Sequence, residues 1–172
     1  AADPRTRAVI VVNPNNPTGS FLKRWELERL IDFCRRRGLA IISDEVFSDY
    51  PLRADPERVE TLAATEGVPV FCLSGLSKLC GLPQMKLGWI VANGPRETFE
   101  RLELVADTYL SAGAPVQHAL PELLASGSGI RDQILRRTRA NLAFLRATLD
   151  EPSACRCLEA EGGWYAVLKV TG

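Results

Sequence analysis

Three short apolar runs punctuate the first half of the chain. Residues 8–12, 39–42 and 68–73 are rich in Val, Ile and Leu, with no polar position alternating between them. A strand that reads apolar on both faces is one expected to be covered on both sides, as in a parallel sheet. Between the first two runs, Leu27, Leu30, Ile31 and Cys34 recur at i, i+3, i+4 and i+7, one face of a helix. Ser20 is the candidate N-cap and Gly38 the stop. Arg35, Arg36 and Arg37 suit the negative end of that helix, which is favoured over an anion-binding patch. Strand, helix, strand in this order predicts parallel neighbours joined by a right-handed crossover.

Residues 51–67 are irregular apart from a short helix expected at 57–64. From the third run to the next one, at 86–92, the connection is too short for a parallel crossover, and Gly81 and Pro83 interrupt it. The fourth strand is therefore expected to run antiparallel to the third. Helices are predicted over 95–108 and 116–125, then a flexible joint at 126–129 (Ser-Gly-Ser-Gly). A long helix follows, with Ile134, Leu135, Thr138, Leu142, Leu145 and Leu149 on one stripe and Pro152 ending it. Two strands, 156–158 and 164–170, close the chain. The fold class is α/β: a three-layer, mostly parallel mixed sheet with flanking helices, plus the start of a small α+β domain. We divide the chain into residues 1–130, part of a large domain, and 131–172, a bridging helix with the first strands of the small one.

Composition narrows the function classes. The chain has 172 residues, 46% hydrophobic and 24% charged, with 21 basic and 21 acidic residues. A net charge of zero argues against a general nucleic-acid binder. No run is long enough to span a membrane. The five cysteines form no C-x-x-C and suggest reduced thiols in a cytoplasmic protein. A single histidine, His118, is too few for a zinc site of usual spacing and reads as structural. The chain enters a strand almost at once and stops on another, as a piece of a larger protein would.

Chemistry concentrates where the strands end. The first runs into Asn13, Pro14, Asn15, Asn16, Pro17, Thr18 and Gly19; the second into Asp44 and Glu45; the third into a small-residue loop with Ser74, Gly75, Ser77 and Lys78. The carboxyl ends of parallel strands are where open α/β sheets bind ligands. Directly after a buried strand a carboxylate needs a partner, so Asp44 is the functional candidate, while Glu45 and Asp49 are free to face water. A partly desolvated lysine is a good amine nucleophile. An imine-forming lysine, a carboxylate and an amide are what a pyridoxal phosphate site needs: a Schiff-base partner, a counter-charge for the pyridine nitrogen and a donor to the phenolic oxygen. A dinucleotide domain is excluded, since no G-x-G-x-x-G follows a strand, and the Lys78 loop is no Walker A motif.

The Asn13–Gly19 loop, Asp44 to Phe47, Ser77-Lys78 and Gly88-Trp89, in this order, resemble the class I/II aminotransferases of fold type I. The resemblance covers most of the chain. It implies that Lys78 is both the Schiff-base lysine and the proton shuttle, that Asp44 meets the pyridine nitrogen, and that Asn16 meets the phenolic oxygen. It also implies a homodimer with its sites near the subunit boundary, acting on an amino acid and a 2-oxo acid. Three positions depart from the family pattern. Phe47 stands where a tyrosine is common, with Tyr50 nearby. Gly75 replaces a phosphate-binding serine, leaving Ser74 or Ser77 to serve. Lys86 replaces a phosphate-binding arginine. By the same resemblance, a phosphate-cradling helix and a ring-stacking aromatic belong before residue 1, and a substrate-carboxylate arginine after Gly172, so the piece alone is expected to be inactive. Asp107 to Ser111 carry no arginine, which favours an aromatic or apolar substrate over a dicarboxylate. The rival readings are a carbon–sulfur β-lyase or decarboxylase on the same fold, and a non-catalytic effector domain of a transcription regulator.

Overall fold

The computed structural model describes residues 2–149 and 154–170. Its core is a four-stranded sheet in the order β1-β2-β3-β4, with β1 at Ala8–Val12, β2 at Ala40–Asp44, β3 at Val70–Gly75 and β4 at Gly88–Asn93. The first three strands are parallel and β4 pairs antiparallel with β3, as the short connection requires. Register sets Val12 beside Asp44 and Asp44 beside Leu73, so the three strands end level at one edge.

Period-two geometry sorts the side chains. Val9, Val11, Ile41, Val70 and Cys72 face helix α1, Arg24–Arg37, where Leu27, Leu30, Ile31 and Cys34 meet them. The opposite face carries Ile10, Phe71, Leu73 and Ile90, with Ile10 71% and Ile90 47% exposed. Both faces are apolar, the pattern predicted for strands covered on two sides.

Helix α1 begins three residues later than the sequence suggests, and Ser20 is not its cap. The chain stays extended through Leu22, whose amide donates to Asn13 Oδ1 at 2.9 Å and whose carbonyl accepts the Val59 amide at 2.8 Å. Lys23 is the N-cap, and its amide donates to Glu26 at 2.9 Å. The helix expected at 57–64 is absent for a related reason. The Glu57 carbonyl accepts the Arg24 amide, and the Leu62 amide donates to the Glu45 carboxylate, so tertiary partners take the groups a helix would pair internally.

Beyond β3 lie a one-turn helix α2, Leu76–Leu79, a 3-10 turn at Pro83–Met85, and α3, Arg96–Ala106. Then α4, Ala114–His118, leads into α5, Leu120–Thr148, a single helix of 29 residues. The expected joint at 126–129 is thus continuous helix. Gly127 is buried against Cys80, where an added Cβ would come within 3 Å of the cysteine side chain, so this glycine serves a close helix contact. Ser126 and Ser128 bond back to carbonyls of their own helix. Pro152 lies outside the described residues. Of the closing strands the first lies one residue earlier than expected and the second is shorter: β5, Cys155–Cys157, pairs antiparallel with β6, Leu168–Val170. His118 is exposed at the end of α4, and no described helix is long and apolar enough to cross a membrane.

Candidate active site

Asp44 closes β2 half-buried. Its Oδ1 accepts the Val46 amide at 3.1 Å, and its carbonyl accepts the Asn13 amide at 2.8 Å, tying it to the end of β1. Its Oδ2 takes no hydrogen bond from the described residues. The next residue behaves otherwise. Glu45, expected to face water, is 6% exposed and accepts Ser43 Oγ at 2.9 Å, Thr61 Oγ1 at 2.7 Å and the Leu62 amide at 2.8 Å. It is a structural carboxylate, identifiable only once the irregular segment is seen to fold over β2.

Lys78 sits on α2, immediately past the end of β3. Its Nζ lies 5.7 Å from the ring centre of Phe47 and 5.4 Å from that of Trp164, within cation–π range of both, and no described carboxylate pairs with it. Phe47 is buried, with its ring edge-on to Trp164 at 5.2 Å and to Tyr165 at 6.0 Å. Tyr50 does not stand in for the missing tyrosine. It is fully buried and donates its hydroxyl to the Lys78 carbonyl at 2.5 Å, holding the lysine's backbone. Burial, with a smaller push from Asp49, moves that phenol up to about 12. Asp49 itself meets Arg131 of α5 at 3.5 Å.

The other predicted residues share this edge without touching one another. Asn16 is exposed at the tip of the Asn-Pro loop, whereas Asn13 is the buried one, donating to the Val59 carbonyl at 2.9 Å and accepting the Leu22 amide. Ser74 is half-buried on β3 opposite Trp89, and Ser77 is half-buried on α2. Lys86 is exposed, and with φ at +51° it is the one non-glycine described residue in the left-handed region. Gly75 is glycine for steric reasons. It pairs with Gly88, and an added Cβ would stand 2.9 Å from the Leu87 carbonyl oxygen.

Trp164 and Glu161 were not legible as site residues. They reach the site on a loop near the end of the chain, and nothing local marks them. The Trp164 Nε1–H is buried without a partner among the described residues.

The donor set suits one kind of cofactor. An unpaired amine, a carboxylate with one oxygen open, exposed amide and ammonium groups and two hydroxyls on the same sheet edge match the needs of a phosphorylated pyridine aldehyde. The fold is that of the fold type I pyridoxal-phosphate enzymes. The model of the family "Aminotransferase class I and II" matches residues 1–172, and the chain belongs to that family. It is 30% identical to the glutamate-pyruvate aminotransferase AlaA of Escherichia coli K12, over 97% of this chain and 42% of that protein. It is 29% identical to the alanine aminotransferase of Mycobacterium tuberculosis H37Rv, over 94% and 39% respectively. A further relative, 34% identical over 72% of this chain and 28% of that protein, is the S-alkyl-thiohydroximate lyase SUR1 of Arabidopsis thaliana. Among solved structures, the alanine aminotransferase from Pyrococcus furiosus superposes with a TM-score of 0.84 at 23% identity, covering 99% of this chain and 44% of that one. The chain thus spans about two fifths of the relatives it matches.

Proposed function

We propose that this chain is the core of a pyridoxal-phosphate-dependent aminotransferase, moving an amino group between an amino acid and a 2-oxo acid. The observation that carries this reading is the Lys78 amine, unpaired and flanked by aromatic rings, on the sheet edge where Asp44 keeps one carboxylate oxygen open. When bound, pyridoxal phosphate supplies a conjugated ring that accepts the electrons of the bond broken at the substrate α-carbon. In this reading Lys78 holds the cofactor through its Nζ and then moves the proton at the substrate α-carbon. Asp44 keeps the ring nitrogen protonated through Oδ2 while Val46 fixes Oδ1. Asn16 donates to the phenolic oxygen. Ser74 or Ser77, with Lys86, takes the phosphate. Lys86 keeps the charge of the arginine common there but not its fork-shaped pair of donors.

For substrate we favour a small apolar amino acid such as alanine. Two observations support this: no arginine lies among residues 107–111 to meet a side-chain carboxylate, and one of the named relatives is an alanine aminotransferase. We take the whole protein to be a cytoplasmic homodimer, the compartment because Cys34, Cys72 and Cys80 are free thiols. Residues 1–130 belong to the large domain and 131–172 begin the small one, and turnover belongs to the whole protein.

Borohydride reduction of the intact protein, followed by peptide mapping, tests the assignment. A pyridoxyl label on Lys78 is expected, with amino transfer that depends on added 2-oxo acid. Label on another lysine overturns the site. Thiol release without any 2-oxo acid, as a β-lyase would give, overturns the reaction.

A further inference from the structure

Trp164 is carried to the site by a loop that one carboxylate holds in place. Glu161 accepts the Phe21 amide at 2.9 Å across 140 residues of chain, accepts Lys23 Nζ at 2.8 Å, and pairs with Arg53. Lys23 Nζ also reaches Asp55 at 2.6 Å, and Arg53 reaches Glu159 at 3.4 Å. The Glu161 side chain is only 13% exposed. Backbone bonds complete the seat. The amides of Glu161 and Gly162 donate to the Gly19 carbonyl at 3.1 and 2.9 Å, Leu52 donates to the Glu161 carbonyl at 2.8 Å, and Gly163 donates to the Tyr50 carbonyl at 3.0 Å. Residues 161–163 are thereby wedged between the Asn-Pro loop and the loop after Tyr50. The next residue is Trp164, edge-on to Phe47 and to Tyr50 at 5.1 Å and 5.4 Å from Lys78 Nζ.

We propose that Glu161 is a positioning residue: its carboxylate pins the return loop so that the Trp164 indole forms one wall around the Lys78 amine. The ion cluster thus acts on the amine at one remove, through a tryptophan. Burial works against the Glu161 charge, but the bonds from Lys23, Phe21 and Arg53 outweigh it and hold the carboxyl below its usual range. The kinetic consequence rests on the reading of Lys78 given above; the geometric one does not.

The test is fluorine NMR of the full-length protein labelled with 5-fluorotryptophan, the Trp164 resonance being assigned by its loss in Trp164→Phe. In Glu161→Ala that resonance is expected to move toward free indole, the other tryptophan signals staying in place. Glu161→Gln keeps an acceptor for the Phe21 amide but removes the charge that Lys23 and Arg53 hold, and is expected to move the resonance in the same direction at neutral pH, by less than Glu161→Ala. The wild-type resonance shifts in acid, below the usual glutamate range, where Glu161 takes up a proton; in Glu161→Gln that acid shift disappears. The groups facing Glu161 are Lys23, Arg53, Asp55 and Glu159, so the same scan on Asp55→Asn and Glu159→Gln must keep the shift. If Glu161→Ala does not fold, Lys23→Met, which leaves the Phe21 bond intact, is judged by the same displacement. A Trp164 signal unmoved in the folded variant, or an acid shift that survives in Glu161→Gln, overturns the proposal. A pyridoxyl label away from Lys78 would overturn the function and leave this result standing, so the two failures are separable.

Discussion

The sheet edge and the return loop meet at one amine, and different forces hold them. The edge that bears Asp44 and Lys78 is the end of a sheet whose inward residues, Ile41, Val70 and Cys72, are buried against α1. Each such side chain contributes on the order of 1.5–3 kcal/mol, by a force that neither salt nor moderate pH alters much. The return loop at 161–164 has no such set of buried aliphatic side chains; its apolar contact is the Trp164 ring against Phe47 and Tyr50. It is seated by a charged cluster and backbone hydrogen bonds that contribute about 1 kcal/mol each. One side of the Lys78 site is therefore rigid by packing and the other is set by electrostatics.

The sharpest way to test this division is on the rigid side. Asp44→Asn keeps an oxygen for the Val46 amide but removes the charge, and a fall in kcat of about 100-fold, near 2.7 kcal/mol, is expected with much less loss of bound cofactor. Equal losses of both would make Asp44 structural only. Its neighbour Glu45 should show the opposite profile. Glu45→Ala leaves Ser43, Thr61 and the Leu62 amide without their shared acceptor and is expected to cost about 3 kcal/mol in chemical denaturation, with amino transfer per folded molecule unchanged.

On the electrostatic side the expected effects are smaller and depend on pH. The Glu161 carboxyl lies below its usual range, so its contribution is complete above the unfolded-state value near pH 4.3 and is lost as pH falls through the lower folded value. Lys23 is shifted up; burial opposes the shift, and the bonds to Asp55 and Glu161 drive it, so its share is lost only as pH rises past about 10.5. Melting curves of the wild type and Glu161→Gln should differ by about 2 kcal/mol near pH 7 and converge in acid. A gap that stays constant as the pH is lowered through the acid range would mean packing, not charge, seats the loop. The smallest effect is expected at Lys86. Lys86→Gly relieves a left-handed φ and should raise stability by about 1 kcal/mol while weakening retention of a phosphorylated cofactor, measured by thermal unfolding and by equilibrium dialysis.

The same division explains what could be seen in the sequence. The parallel β1–β2 pair, the antiparallel β4 and the residues at the strand ends follow from apolar runs and from connection length, which are local properties. Asp44 and Lys78 could be singled out because polar groups stood directly after apolar runs. Ser20 has the chemistry of a cap, but the pull of Asn13 on the Leu22 amide, which displaces the helix start, is tertiary. The Ser-Gly pairs at 126–129 looked like a joint because Cys80, which needs that glycine, lies far away in sequence. Glu45 reads as a surface carboxylate in the sequence because its donors Thr61 and Leu62 belong to a segment without periodicity. Trp164 and Glu161 escaped notice because a wall supplied from the far end of the chain leaves no mark on its neighbours.

The pairing of Gly75 with Gly88 carries a consequence for how this site can change over generations. At the first position any side chain meets the Leu87 carbonyl oxygen, and at the second an added Cβ would lie 3.0 Å from the Ser74 carbonyl oxygen. A serine cannot enter at residue 75 by a single step without prying β3 from β4 just ahead of the lysine. The two strands would have to shift first, so these positions form an epistatic pair, and a hydroxyl at this point of the edge is more readily supplied by Ser74 or Ser77.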